Sequence, residues 1–397
     1  MELLTNPIRT YAWGSTSAIA RVQGRPVPSR EPEAELWMGG HPSAPSRLIR
    51  DGAEHGLDAL VAADPAGELG ASVAAAHGAR MPFLLKLLAA ETPLSLQAHP
   101  SEDQARTGFA AAEAAGLAAG DPRRSYVDPN HKPELICAVG EFSALCGFRS
   151  VERSVAVLAP VVSAVPALKP LLDGLRLTPD GGGLRTFVAG LFALPDADQV
   201  AVAFADACRA VIGESPDYRL AVELADQFPG DIGVVLALLL NHLVLAPGEA
   251  MFLPAGVLHA YLHGVGVEVM ACSDNVLRGG LTPKHVDVPE LLRVVRFEVM
   301  PPEPFPAVEA GPGVRVWAPP VPEFVLTRVV LDEAGGRASL AGDGPRILFC
   351  LEGAVTVDDG TDPAELRGGQ AGYVSAGHRD VTLTGTGTVF QATTGSE

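Results

Sequence analysis

Apolar residues recur with different periods along this chain, and the changes of period divide it. Over residues 1–100 they form short runs broken by glycine and proline, which predicts β-strands joined by loops. An alanine-rich stretch from Glu102 to Ala119 interrupts that pattern. Ser101 stands where an N-cap belongs and Gly120 lies just past the end, so a helix is predicted inside a β region. From Ser150 to Ile232 the spacing becomes helical, with three- and four-residue intervals in Val151–Leu158, Leu184–Leu194, Asp198–Ile212 and Tyr218–Phe228. Gly181–Gly183 reads as a turn between helices, since no strand precedes it and no Lys-Ser/Thr follows, as a phosphate loop requires. After Asn241 the short-strand pattern returns. Prolines between Val299 and Val314 read as a linker into a last unit, Val316–Thr393. Its alternating strands and its Asp359-Gly360 and Gly368-Gly369 turns predict a small β-barrel.

Composition narrows the classes. The 397 residues leave room for two or three domains at roughly 100–200 residues each, and 47% hydrophobic content excludes intrinsic disorder. A net charge of −18 argues against nucleic acid and against an anionic membrane surface. The longest apolar stretch, Ile232–Ala246, is broken by Asn241 and His242 and is too short to span a bilayer. Five cysteines, without a C-x-x-C pair, sit mostly in apolar runs, so a reducing compartment is expected rather than a disulfide framework. The opening MELLTNPIRT has no basic-then-apolar leader, and a cytoplasmic location is the expectation. Lysine occurs only at Lys86, Lys132, Lys169 and Lys284, so each position carries weight if the ligand is an anion.

Three clusters carry candidate chemistry. In Pro93–Pro100 (PLSLQAHP), strand alternation puts Ser95, Gln97 and His99 on one side and Leu94, Leu96 and Ala98 on the other. Donors two apart can converge on one ion, although any half-exposed strand alternates in this way. In Asp128–Leu135 (DPNHKPEL), Lys132 and Glu134 share a face if the segment is extended, as Pro133 requires of Lys132. His131 there reads equally well as a loop histidine. The third cluster, Gly248–His259 (GEAMFLPAGVLH), has the spacing of the second cupin motif. Pro254 and Gly256 turn between two strands and His259 then projects into a barrel mouth, with Tyr261 and His263 following on the same face. Gln97, His99, Glu134 and His259 together form a nitrogen and oxygen donor set suited to zinc or another divalent first-row metal. Gly369–Asp380 (GQAGYVSAGHRD) repeats the turn spacing with Ser375 for proline and Asp380 for histidine, so the second module is expected to lack a metal and His378 to be a surface residue. The expected architecture is mainly β, with two cupin-type β-barrel (jelly-roll) modules and an all-α domain. Residues 1–149 and 233–300 would form the catalytic cupin, 150–232 the helical insertion and 301–397 the metal-free module.

Several of these motifs, in order, resemble the type I mannose-6-phosphate isomerases over nearly the whole chain. They are Asn6–Ser15 (NPIRTYAWGS), Ala34–Pro42 (AELWMGGHP), Pro82–Lys86 (PFLLK) with the QAHP that follows, Asn130–Glu134 (NHKPE), Pro254–Leu262 and Ser273–Lys284 (SDNVLRGGLTPK). The resemblance implies a zinc-dependent aldose–ketose isomerase, one zinc per chain, converting mannose 6-phosphate to fructose 6-phosphate for GDP-mannose synthesis or mannose catabolism. By position it implies Gln97, His99, Glu134 and His259 as metal ligands and Arg278 as an essential arginine. Lys132, Glu268, Asp274 and Lys284 match polar pocket positions, with Ser95, Tyr261, Lys284 and Trp13 toward the substrate. Lys132 and Glu268 are rival candidates for the base, and His131 or Asp274 for assisting ring opening. Ala12 departs from the family, many members having Asp there. A phosphosugar is the expected partner, and the chain is expected to be a monomer or a weak homo-oligomer.

The donor set alone leaves two other classes open. Two histidines and a carboxylate also compose a non-haem iron oxygenase site, although such an enzyme has no need of Lys132, Arg278 and Lys284. A non-catalytic sugar-binding cupin would bind ligand without turnover.

Overall fold

The computed structural model describes every residue except 119, 122, 333–335, 379 and 396–397. It is mainly β, with two large antiparallel sheets and a block of helices. The organising strand is His259–Ala271. Its first half pairs with Phe142–Phe148 and, at His259, with Gln97; its second half pairs with Phe83–Ala90 and Glu134–Ala138. It bends at Gly264, where φ is +126° and a Cβ would lie 2.6 Å from the Glu141 carbonyl oxygen, so only glycine fits.

Alternation along these strands decides what covers them. Ala260 and Leu262, with Leu96 and Ala98, point outward into a core shared with the helices, which include Leu158, Leu184 and Phe204. Leu85, Leu87, Leu135, Cys137, Val267 and Val269 also point outward, into a core shared with Trp317, Phe324, Ile347, Phe349 and Phe390 of the last unit. The opposite faces carry Lys86, Gln97, His99, Glu134, His259, Tyr261 and Glu268 inward.

The helices Val151–Val162, Lys169–Leu177, Gly181–Phe192, Ala197–Ala210, Pro216–Gln227 and Gly233–Ala237 leave the sheet after Phe148 and return at Leu240. Leu240 pairs with Phe148, so the block is an excursion between two neighbouring strands. Gly181–Gly183 are the first turn of a helix, not the turn between helices expected from sequence. The Asp180 carboxylate accepts from the Gly182 and Gly183 amides at 2.8 and 3.1 Å, and this cap offsets the poor helix propensity of glycine. The helix beginning at Glu102 has the expected Ser101 cap, closed into a capping box with Gln104, but ends at Ala114, with Gly116 at φ +67° just beyond. The last expected residue, Ala119, lies outside the described residues. Four short helices between Ala18 and His77 were not expected in a region that reads as strands and loops.

The last unit is built on the long hairpin of Arg346–Asp358 and Asp380–Thr393. Its sheet starts earlier than expected, because Val308–Gly311 and Val314–Trp317 pair at its edge where the prolines suggested a linker. It also takes in the first strand of the chain, Glu2–Leu4, which pairs with Ala371–Val374. Among the described residues no single helix is long and apolar enough to cross a membrane.

Arg149 fastens the helical block to the strand ends. Its Nε donates to the Leu240 carbonyl at 2.8 Å and its Nη2 meets Asp217 Oδ1 at 2.8 Å, both side chains being buried. Asp217→Ala leaves that guanidinium buried and uncompensated and should cost roughly 3–5 kcal/mol. Arg209 makes exposed pairs with Asp206 and Asp226. Losing them in Arg209→Ala should cost under about 1 kcal/mol. Urea unfolding of the two variants checks the contrast.

Candidate metal centre and cleft

The inward faces enclose a cleft of about 590 Å³. Glu134 lines it, with His99 and His259 just behind the lining, and the candidate donor atoms of the three lie within 4.8 Å of one another, all three residues buried. Glu134 Oε2 is 3.2 Å from His99 Nε2 and 3.4 Å from His259 Nε2. The turn anticipated at Pro254–Gly256 delivers His259 there. Gly256 has φ +79°, and a Cβ would press on the Arg296 side chain at 2.6 Å. Gln97, directly opposite His259, brings its amide within 3.3 Å of His259 Nε2.

The far sides of both rings support the metal reading. His99 Nδ1 lies 2.7 Å from the Asn275 carbonyl oxygen and His259 Nδ1 lies 2.9 Å from that of Val257. A carbonyl only accepts, so each Nδ1 carries the proton and each Nε2 offers a lone pair toward Glu134. Burial pushes the His99 ring down to about 4, which keeps it neutral and able to ligate at physiological pH. Burial opposes ionisation of Glu134, yet the Lys132 ammonium beside it outweighs that and holds its carboxyl well below the usual range. Two imidazole nitrogens and one carboxylate, with the Gln97 side-chain amide beside them, fit zinc.

Beside this centre lies a buried network of charges. Lys86 Nζ sits 3.0 Å from Glu268 and 3.3 Å from Glu35, Tyr261 Oη donates to Glu268 at 2.8 Å, and Trp37 Nε1 donates to Glu35 at 2.9 Å. Burial alone would neutralise Lys86, but the two carboxylates reverse that and hold it charged. Burial raises Glu268 above the ordinary carboxylate range despite Lys86. Lys132 Nζ meets Glu134 Oε1 at 2.9 Å.

Most of the residues anticipated from sequence line the cleft, including Trp13, Ser95, Gln97, Lys132, Glu134, Tyr261, Glu268, Asp274, Arg278 and Lys284. Arg278 belongs to a short strand, Leu277–Gly280, where a glycine loop was expected, and it stands directly opposite Gln97. Arg278 forms no salt bridge with Asp274 among the described residues. Asp274 instead faces His41 Nε2 at 3.5 Å, and among the described residues neither Arg278 nor Lys284 has a carboxylate partner. His131 is not brought to the cleft lining; its Nε2 is bonded to Glu323 at 2.6 Å. His263 is exposed and bonds the Ala90 carbonyl, and His378 bonds that of Asp359. Sequence reasoning left Glu35, Trp37, His41 and Lys86 out of the site. For Lys86 a signal existed, a lone charge inside the wholly buried strand Phe83–Ala90.

Residues 1–151 match the model of the type I phosphomannose isomerase catalytic domain. Mannose-6-phosphate isomerase of Escherichia coli K12 is 38% identical over 98% of both chains. The chain belongs to the type I mannose-6-phosphate isomerase family. The human member is 33% identical, covering 94% of this chain and 93% of its own. A zinc-bound crystal structure of mannose 6-phosphate isomerase superposes with a TM-score of 0.91 at 34% identity, over 100% of this chain and 99% of that one. A variant of the Salmonella typhimurium enzyme gives 0.92, also at 34% identity, over 100% of both chains. Of the three classes that the donor set left open, family membership favours the isomerase over the oxygenase and the non-catalytic binder.

Glu134→Ala removes the one carboxylate of the donor set and should abolish stoichiometric zinc in purified protein, whereas His378→Ala should leave it unchanged. Metal analysis of the two proteins decides, and full zinc in Glu134→Ala would overturn the ligand assignment.

Proposed function

We propose that this chain interconverts mannose 6-phosphate and fructose 6-phosphate in a zinc-dependent reaction within the cleft. The observation that carries the reading is the pair Arg278 and Lys284, cations without carboxylate partners among the described residues that line the same cleft as Gln97 and Glu134 of the donor set in a protein of net charge −18. Every other lysine is neutralised: Lys86 by Glu35 and Glu268, Lys132 by Glu134, and Lys169 by Asp173 on an outer helix. Unpaired cations on an acidic protein suit an anionic substrate.

Gln97, His99, Glu134 and His259 would hold the zinc, which when bound supplies positive charge against the oxygens on which an enediolate develops. The reaction moves a proton from C2 to C1 while the carbonyl passes from C1 to C2. Glu268 suits the base, since burial strengthens it as an acceptor while Tyr261 and Lys86 fix its orientation. It takes the C2 proton and returns a proton to C1. Lys132, an ammonium held by Glu134, gives a proton to O1 and takes up the one released from O2. Arg278 lies one rung from Gln97, and directly opposed residues approach to ~4.5–5.5 Å, so its guanidinium serves the reacting oxygens. Lys284, exposed nearer the mouth, serves the phosphate. Ser95 and Trp13 bound the sugar, and Asp274 faces it from the His41 side.

The two sheets are read as cupin modules. The glycine turn before His259 and the related turn at Ser375–Gly377 support this, with the catalytic module over 1–149 and 233–300, an all-α insertion over 150–232 and a module over 301–397 that has no donor set among the described residues. A cytoplasmic role in mannose use or GDP-mannose supply follows the family.

A coupled assay on mannose 6-phosphate with the zinc-loaded protein tests the reaction, and no turnover would overturn it. Glu268→Gln should lower kcat by about 10²–10⁴. Arg278→Lys should keep zinc and fold but lose about 10² in kcat with little change in KM, a point charge being no substitute for the planar fork. Lys284→Ala should act mainly on KM, by about tenfold or more, a charge-assisted hydrogen bond contributing ~1.5–3 kcal/mol.

A further inference from the structure

The segment from Asp128 to Glu134 presents two working groups, Lys132 to the cleft and Glu134 to the metal centre. On one side it is held within its own unit. Asn275 Nδ2 donates to the Asp128 and Asn130 carbonyls at 2.7 and 2.8 Å, and Ser273 Oγ donates to Asn130 at 3.1 Å. His131 turns the other way. Its Nε2 meets Glu323 Oε1 at 2.6 Å, across 192 residues of sequence.

Glu323 comes from the last unit and is firmly placed there. The next residue, Phe324, is fully buried in the same core as Leu135, which follows Glu134 on the outward face of its strand. The two side chains of the pair are 22% and 12% exposed, so water screens this contact far less than it screens the surface ion pairs. Glu323 Oε2 is buried without a hydrogen-bond partner, so the carboxylate has His131 as its one side-chain partner among the described residues. Burial raises the Glu323 carboxyl, and the His131 hydrogen bond overrides it to hold the group below its ordinary range. A carboxylate only accepts, so His131 donates through Nε2, and the ring cannot rotate without leaving that carboxylate buried and unpaired.

We propose that Glu323 is a positioning residue for this site: the last unit reaches through it to His131 and thereby fixes the backbone that carries Lys132 and Glu134. The proposal rests on the isomerase reading above and gives the last unit a part in that reaction. His131 then serves as an anchor rather than as a participant in ring opening.

The test uses zinc-loaded full-length Glu323→Ala, Glu323→Gln, His131→Ala and the Glu323→Ala/His131→Ala double variant. Glu323→Ala should lose about tenfold in kcat with KM within about twofold of wild type, because the substrate contacts remain while the Lys132 segment loosens. Glu323→Gln, whose amide oxygen still accepts from Nε2, should recover to within about threefold of wild type. The double variant should be no slower than His131→Ala, since the two residues act as one unit. Hydrogen exchange at the Asn130, His131 and Lys132 amides should speed up in Glu323→Ala while zinc content and Tm stay near wild type. Wild-type kcat and exchange in Glu323→Ala would overturn the proposal. So would losses that multiply in the double variant, or a fall in rate that only tracks lost zinc or lost folded protein. Exchange needs no substrate, so a wild-type protein inactive on mannose 6-phosphate would refute the reaction while the amides still decide the positioning.

Discussion

The two-residue period of a few buried strands is the constraint on which the site depends. Each strand wall must satisfy two surroundings at once, and consecutive side chains do so by pointing opposite ways. Leu96, Ala98, Ala260 and Leu262 need the helices; Leu135, Cys137, Val267 and Val269 need the last unit. Their sequence neighbours therefore have nowhere to go but inward, which is where Gln97, His99, Glu134, His259 and Glu268 meet. A one-residue slip in any of these strands would exchange aliphatic side chains with donors, so the outer packing enforces the register of the inner chemistry.

Collecting charge in such an interior carries a desolvation cost, and the structure answers it by alternation of sign. Glu35, Lys86 and Glu268 form one string and Lys132 with Glu134 another, each ion facing its opposite within 3.3 Å. Tyr261 and Trp37 complete the hydrogen bonds of the carboxylates with neutral donors. The cations left over, Arg278 and Lys284, are the more effective for standing in an otherwise balanced cleft.

Much of this was legible where the cause is local. The Pro254–Gly256 turn, the Ser101 cap and the helical period after Ser150 depend on residues within a few positions of one another, and the structure has them. The donor residues were legible because their types are uncommon on apolar strands. The features that escaped are those decided by distant partners. Gly181–Gly183 look like a turn until Asp180 is seen to cap them and the Phe297 carbonyl is seen to leave no room for a Cβ at Gly181. Arg278 looks like a loop residue until Leu96–Ala98 pairs with its segment. The contact of His131 with Glu323 escaped because nothing nearby in sequence announces it.

The strand Glu2–Leu4 has a consequence for the order in which the molecule comes together. It is made before its ladder partner, Ala371–Val374, with the catalytic strands and the helical block between them in sequence. The catalytic sheet and the helical block can condense while this leading segment is still unpaired. The sheet that receives it closes only after those intervening elements have been made, a contact of very large sequence separation. Completion of the last unit thus draws Glu2–Leu4 into its sheet, a late seam that makes a cleanly detachable C-terminal module an unnatural way to cut this protein.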